Sequence, residues 1–316
     1  MATTTSITTT YAGEFAGKYI AAALLSAPTL DKGGITIVPN VKFKQVIKRV
    51  STDDIIANAT CDFDATSTIT LTEKILQPEE FQVNLQLCKK DFVSDWEAIS
   101  MGYSAFEVMP KNFTDFLLAH AAEKVAAAME VSIWRGVNAT AGQFAGIMTQ
   151  LTTDATLPSA QEVAGTTVTA ANVIAELGKI VDACPASIYG KEDLTLYVSN
   201  NIYRAYVRAL GGFAASGVGA NGYDNKGTNQ TLGDVYFDGV RVFMANGLTS
   251  NTALLAQKSN LYFATGLLND MNEVRVLDMA ENDGSQNVRV VMRFTADAKY
   301  GFASDVVTYG ITNSAN

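Results

Sequence analysis

Apolar and polar residues alternate with period two over FQVNLQLC, where Phe81, Val83, Leu85 and Leu87 are separated by Gln82, Asn84 and Gln86. Successive strand side chains point to opposite faces, so this spacing predicts a strand with one polar face. Ile69, Leu71 and Ile75 alternate through a Thr-rich stretch, and the CDFDATS and LQPEE segments carry turn chemistry. Residues 51–88 therefore predict a long β-hairpin or pair of hairpins. Upstream, Ile35, Ile37 and Val41 predict a strand across residues 35–50.

The pattern changes to a helical one at residues 114–136. Leu118, Ala122, Val125, Met129 and Ile133 share one helical stripe, with Glu123, Lys124 and Glu130 away from it. Thr114 is placed to cap this helix, and Gly136 stands where a C-terminal glycine belongs. Shorter helices are predicted over 13–25, 169–183 and 201–210, with a buried strand at 194–199 between the last two. Residues 211–227, GGFAASGVGANGYDNKG, are a glycine- and asparagine-rich loop. The remainder reads as strands, VYFDGVRVFM, SNLYFATG, EVRVLDM and NVRVVMRFTA, with Asp283-Gly284 as a turn. The class is α+β, without the regular strand–helix alternation of a doubly wound parallel sheet.

Composition narrows what such a fold does. The chain has 316 residues, 48% hydrophobic and only 17% charged, which excludes a disordered protein. Its 23 basic and 32 acidic residues give a net charge of −9, which argues against a dedicated nucleic-acid binder. Basic residues gather once, at Lys42, Lys44, Lys48 and Arg49, interleaved with Phe43, Val46, Ile47 and Val50; a solvated strand face accounts for them. Cys61, Cys88 and Cys184 are widely separated and odd in number, which suits a reducing compartment. The first residues lack the basic start of a secretory signal, and no apolar run is long enough to span a membrane. A soluble protein made in a cytoplasm is expected.

The sequence carries no catalytic constellation that stands above ordinary structural uses of its residues. The only histidine, His120, falls inside the predicted long helix, so neither a nucleophile–histidine pair nor a histidine metal site can be assembled elsewhere. GVGANG at 217–222 matches the dinucleotide spacing, but it follows a helix and opens none. The acidic pairs Asp53–Asp54 and Glu79–Glu80, with Asp91, Asp95 and Glu97, read as turn and solvent-face carboxylates. No enzyme, metal or cofactor is expected.

The order of these parts resembles the major capsid proteins of tailed double-stranded DNA phages, the HK97-fold family. That order is a Thr-rich arm, a long hairpin, a long spine helix, an α/β block with a glycine-rich tip, and returning strands. Local phrases resemble the family too: Gly136, Gly146 and Ile147 after the spine helix, Gly239 and Val240 before a short apolar strand, and the run from KSNLYFATG to SDVVTYG as closing strands. The resemblance implies an N-terminal arm over 1–50 and an extended hairpin, the E-loop, over 51–90. It implies a peripheral domain over 91–164 with spine helix 114–136, an axial domain over 165–250, and returning peripheral strands over 251–316. It also implies contacts to neighbouring subunits from the E-loop residues Phe63, Ile69, Lys74 and Phe81, and from the axial-tip residues Phe213, Tyr223 and Asn225.

The function so implied is a virion shell subunit that forms pentamers and hexamers in the host cytoplasm and closes an icosahedral shell. Packaged DNA would be enclosed without sequence-specific binding, and separate scaffold, portal and decoration proteins are implied partners. No charged scaffolding segment is visible and no isopeptide cross-link is expected, although Lys74 lies in the E-loop. An encapsulin-type nanocompartment shell shares the fold and would hold protein cargo; the TTTSITTT start speaks against it. A tail or surface-lattice protein is a further alternative, and a hydrolase using the acidic residues comes last.

Overall fold

The computed structural model describes residues 10–11, 27–52, 56, 58, 61, 67–88, 111–210, 235–266, 273–280 and 284–315. The predicted helix at 13–25 and the loop at 211–227 lie outside them.

Three sheets organise the described residues. The first joins β1 (Thr10–Tyr11), β12 (Glu273–Asp278), β13 (Asn287–Tyr300), β11 (Leu261–Thr265) and β2 (Thr36–Val38), with β5 (Glu79–Cys88) added along β13. Strand β13 is its axis, antiparallel to β5 over residues 287–296, to β12 over 288–293 and to β11 over 296–300. The second sheet runs β6 (Glu162–Val163), β14 (Val306–Tyr309), β10 (Ala253–Gln257), β7 (Leu194–Val198), β9 (Val240–Met244), β8 (Val235–Phe237). The third is a two-stranded hairpin, β3 (Gln45–Thr52) against β4 (Ile69–Leu76).

Period two explains how the second sheet is covered on both faces. Tyr197, Phe243, Leu254, Ala256 and Val306 enter the core shared with the long helix α2 (Lys111–Arg135) and the first sheet. Their neighbours Leu196, Val198, Val242, Leu255 and Val307 enter a second core with α4 (Val173–Asp182) and α5 (Asn200–Ala209). A sheet buried on both faces needs apolar residues at every position, and β7 and β14 are buried throughout. A short helix, α1 (Pro28–Asp31), precedes β2, and α3 (Ile147–Leu151) follows α2.

Several expectations are corrected. The strand expected over 35–50 is two strands, because Pro39 offers no N–H and Asn40 adopts a positive φ of 65°. The long helix starts at Lys111, so Thr114 lies inside it instead of capping it. Glu130 is not on its solvent face but 4% exposed. Residues 251–316 do not simply return to the first sheet: β10 and β14 join the second, where β10 pairs with β7 on one edge and with β14 on the other and so satisfies its buried backbone.

The end of α2 explains the two glycines noted in sequence. The Gly146 N–H donates to the Gly136 carbonyl at 2.9 Å, and a Cβ on Gly146 would stand 2.5 Å from the Gly136 nitrogen. Only glycine lets these backbones approach so closely, which reverses the chain from α2 into α3.

Candidate functional site

The hairpin β3–β4 exposes apolar side chains along one face. Its ladder pairs Val46 with Ile75, Lys48 with Glu73, Val50 with Leu71 and Thr52 with Ile69. These side chains share one face. Val50 is 60% exposed, Leu71 58% and Ile69 72%, with Val46 and Ile75 also exposed. A two-stranded ribbon is marginal alone in water, and an apolar stripe along it is a surface built to be covered.

On the opposite face Ile47, Arg49 and Lys74 are half-buried against the rest of the chain. Arg49 Nη1 donates to Asp305 Oδ2 at 2.8 Å and to Ser304 Oγ at 3.2 Å, and its guanidinium carbon stands 4.9 Å from the Phe302 ring centroid. Lys74 Nζ donates to Asp154 Oδ2 at 2.9 Å and stands 4.7 Å from the Tyr300 ring centroid. Tyr300 also donates its hydroxyl to Asp154 Oδ2, while the Thr156 N–H and hydroxyl donate to Oδ1 at 2.9 and 2.6 Å. Partial burial pushes the Asp154 carboxyl up, but the donors Thr156, Tyr300 and Lys74 outweigh it and hold it well below the usual range. Burial, and then the Asp154 bond, push the Tyr300 hydroxyl up.

The base of the hairpin is fixed differently. Leu76 is fully buried with Val41 and Ala264, and the Gln77 N–H, in the link from β4 to β5, donates to Asp297 Oδ2 at 3.0 Å. Burial raises the Asp297 carboxyl from 3.8 to about 6; the Gln77 N–H, Lys299 and the Ala298 N–H oppose the rise, and Glu79 adds to it. A carboxyl raised in this way stabilises the fold fully below its unfolded value, and that stability is lost as pH rises through about 6. Asp297→Asn keeps the acceptor and removes the charge. It is expected to raise the unfolding free energy at pH 7.5 by on the order of 2 kcal/mol and to flatten the pH dependence between pH 5 and 7. Denaturant titrations at pH 5, 6 and 7.5 measure this; equal gains at all three would contradict it.

A second buried polar group pins residues 27–34 to the long helix. The Thr29 N–H donates to Glu130 Oε2 at 3.0 Å, the Thr29 hydroxyl to Oε1 at 2.5 Å, and the Gly247 N–H to Oε1 at 3.4 Å. Trp134 Nε1 donates to the Thr29 oxygen at 2.9 Å, and its ring lies 5.1 Å from that of Tyr197. Tyr197 donates its hydroxyl to the Gly34 carbonyl. A Cβ on Gly247 would collide with the Glu130 carbonyl and come within 2.7 Å of Trp134 Cδ1.

The structure treats the expected contact residues unequally. Ile69 is on the exposed hairpin face. Lys74 is on the other face and engages its own chain, because even-numbered positions of β4 point inward. Phe81 is outside the hairpin: it pairs with Phe294 in the first sheet, and its ring lies 6.0 Å from Phe144 and 5.8 Å from Phe294. Phe63, Phe213, Tyr223 and Asn225 lie outside the described residues. The basic cluster divides between the faces, Lys48 outward and Arg49 inward. His120 lies on the exposed side of α2. Among the described residues no group of three or more His, Cys, Asp or Glu is placed to hold a metal, and no helix is long and apolar enough to cross a membrane.

An α+β body with a long helix beneath a mostly antiparallel sheet, a second sheet covered on both faces, and a separate hairpin is the HK97-like fold of phage capsid proteins. No protein-family model and no curated protein matches the sequence. Solved structures do match the fold. A chain of the satellite phage P4 procapsid with its size determination protein superposes at TM-score 0.54 and 11% identity, covering 93% of this chain and 99% of that one. The capsid of the native GTA particle gives 0.55 at 14% identity, covering 92% and 90%. The capsid of Myoviridae phage XM1 gives 0.55 at 12% identity, covering 89% and 91%.

Proposed function

We propose that the chain is a major capsid protein that assembles into pentamers and hexamers and closes an icosahedral shell around packaged double-stranded DNA. One observation carries the reading: a two-stranded hairpin is fixed to the body on one face and exposes Val46, Val50, Ile69, Leu71 and Ile75 on the other. A lone molecule has no use for that stripe, whereas a neighbouring copy would cover it. The fold shared with chains from assembled capsids supports the same reading. The hairpin of residues 45–76 then acts as the E-loop, the two sheets as peripheral and axial domains, and Phe213, Tyr223 and Asn225 as contacts around a symmetry axis. The place of action is the virion, after assembly in the host cytoplasm with scaffold, portal and decoration partners. The role is structural, without catalysis.

Sedimentation and negative-stain electron microscopy of the purified full-length chain, alone and with its gene neighbours, test this. Closed shells of uniform diameter are expected. A chain that stays monomeric under every condition, candidate scaffold included, would overturn it. DNA rather than enzyme contents in shells from infected cells separates a phage capsid from a cellular nanocompartment.

A further inference from the structure

We infer that Asn246 is a latent site of backbone rearrangement, inert while residues 27–34 are docked on the long helix and reactive once they leave it. The chemistry belongs to the Asn–Gly dipeptide. The Gly247 nitrogen attacks Cγ of the Asn246 side chain, and the new N–C bond closes a succinimide ring. The Cγ–Nδ2 bond breaks, and ammonia leaves with the proton that the Gly247 nitrogen gave up. Water then opens the ring to aspartate or isoaspartate, so no further reactant is needed. Glycine suits the attack because it puts no side chain beside its nitrogen.

Asn246 and Gly247 form a turn after β9, closed by the Leu248 N–H on the Ala245 carbonyl at 3.2 Å. Asn246 is exposed, so ammonia has a way out and water a way in. Gly247 is buried and has no substitute, since a Cβ there would stand 2.0 Å from the Glu130 carbonyl oxygen. The packing that demands glycine therefore places it directly after an exposed asparagine.

The docked fold keeps this pair inert. Ala245 and Leu248 anchor the turn in the main core on either side, which fixes the backbone angles that the attack has to change. The Gly247 N–H donates to Glu130 Oε1 at 3.4 Å. The attack requires that nitrogen without its proton, and a carboxylate beside it opposes the loss. Glu130 is itself held in place by the Thr29 N–H and hydroxyl, at 3.0 and 2.5 Å. Departure of residues 27–34 removes both donors, and the carboxylate then turns to water for partners. Conversion is a one-way mark. Isoaspartate adds a methylene to the main chain where Gly247 has no room to shift, so a converted chain cannot rebuild its contact with Glu130 and Trp134.

Isoaspartate at position 246 is read by peptide mass mapping and enzymatic methyl transfer on the full-length parent, in native buffer and in urea. Glu130→Gln, Thr29→Val and Asn246→Gln are followed in native buffer, with thermal midpoints. In urea, Asn246 is expected to convert as fast as Asn221, which precedes Gly222 in the chain's other Asn–Gly pair. In the native parent, position 246 is expected to convert at least about tenfold more slowly, in proportion to the fraction of open molecules. Glu130→Gln and Thr29→Val are expected to speed native conversion by about tenfold, and Asn246→Gln to abolish it. Native conversion as fast as in urea, or faster, would overturn the inference. So would a Glu130→Gln chain that keeps the parent's midpoint and the parent's rate. If that variant unfolds, Thr29→Val and the two rates of the parent decide the same point.

Discussion

A chain carrying Val50→Asp and Leu71→Asp together is expected to fold as the parent does and to remain unassembled. The two residues face each other across the ladder and are 60% and 58% exposed, so the isolated subunit gives up little by exchanging them. Exposed substitutions of this kind change stability by about 0.5 kcal/mol or less. Docking is another matter. Covering the stripe would strip water from two adjacent like charges, at several kcal/mol for each unpaired ion. Repeated at every subunit contact of a shell, that penalty is prohibitive. Sedimentation velocity and a thermal melt of the same sample measure both halves. Shells of normal yield would show that another surface makes the contact. Deleting residues 55–75 is a blunter probe, because it removes most of β4 and leaves β3 without its ladder partner.

The second large effect lies in the core. Trp134→Ala is expected to destabilise the subunit by about 3–5 kcal/mol, the range for deleting a buried aromatic side chain. Trp134 is fully buried against Tyr197, and its indole N–H orients the Thr29 hydroxyl toward Glu130. Removing it opens a cavity and frees the polar knot at the same point. Trp134→Phe keeps most of the packing and loses one hydrogen bond, about 1 kcal/mol. Denaturant unfolding of the two variants side by side separates the terms; equal losses would mean that the hydrogen bond, not the volume, dominates.

How much of this was legible in sequence depends on whether a feature is local. The long helix announced itself through one stripe of apolar positions, and β5 through strict alternation. The hairpin was located without its pairing: turn chemistry at CDFDATS and LQPEE left one hairpin or two open, and β4 pairs with β3 while β5 joins the first sheet. Alternation says that a segment is a strand with two faces; it does not say which strand lies beside it. Strand β10 escaped notice because ALLAQ has no polar side to alternate with. Glu130 looked like a solvent-face acid, since nothing near it in the chain reveals Thr29 or Gly247 as its partners. The clamps were hidden by separation alone, Arg49 from Asp305 by 256 positions and Lys74 from Asp154 by 80.

The central strand of the first sheet, β13 at 287–300, and an inner strand of the second, β14 at 306–309, come from one late stretch of the chain. During synthesis, β5, β11 and β12 wait for β13, and β10 waits for β14, each with an open hydrogen-bonding edge. The receiving turn for Arg49 is made in the same interval, between those two strands. A nascent chain that has already produced its hairpin can form the Lys74–Asp154 pair, but the Gln77–Asp297 and Arg49–Asp305 bonds must wait for this stretch. The last attachments of the hairpin to its own chain are therefore made only once residues 297–305 have been synthesised.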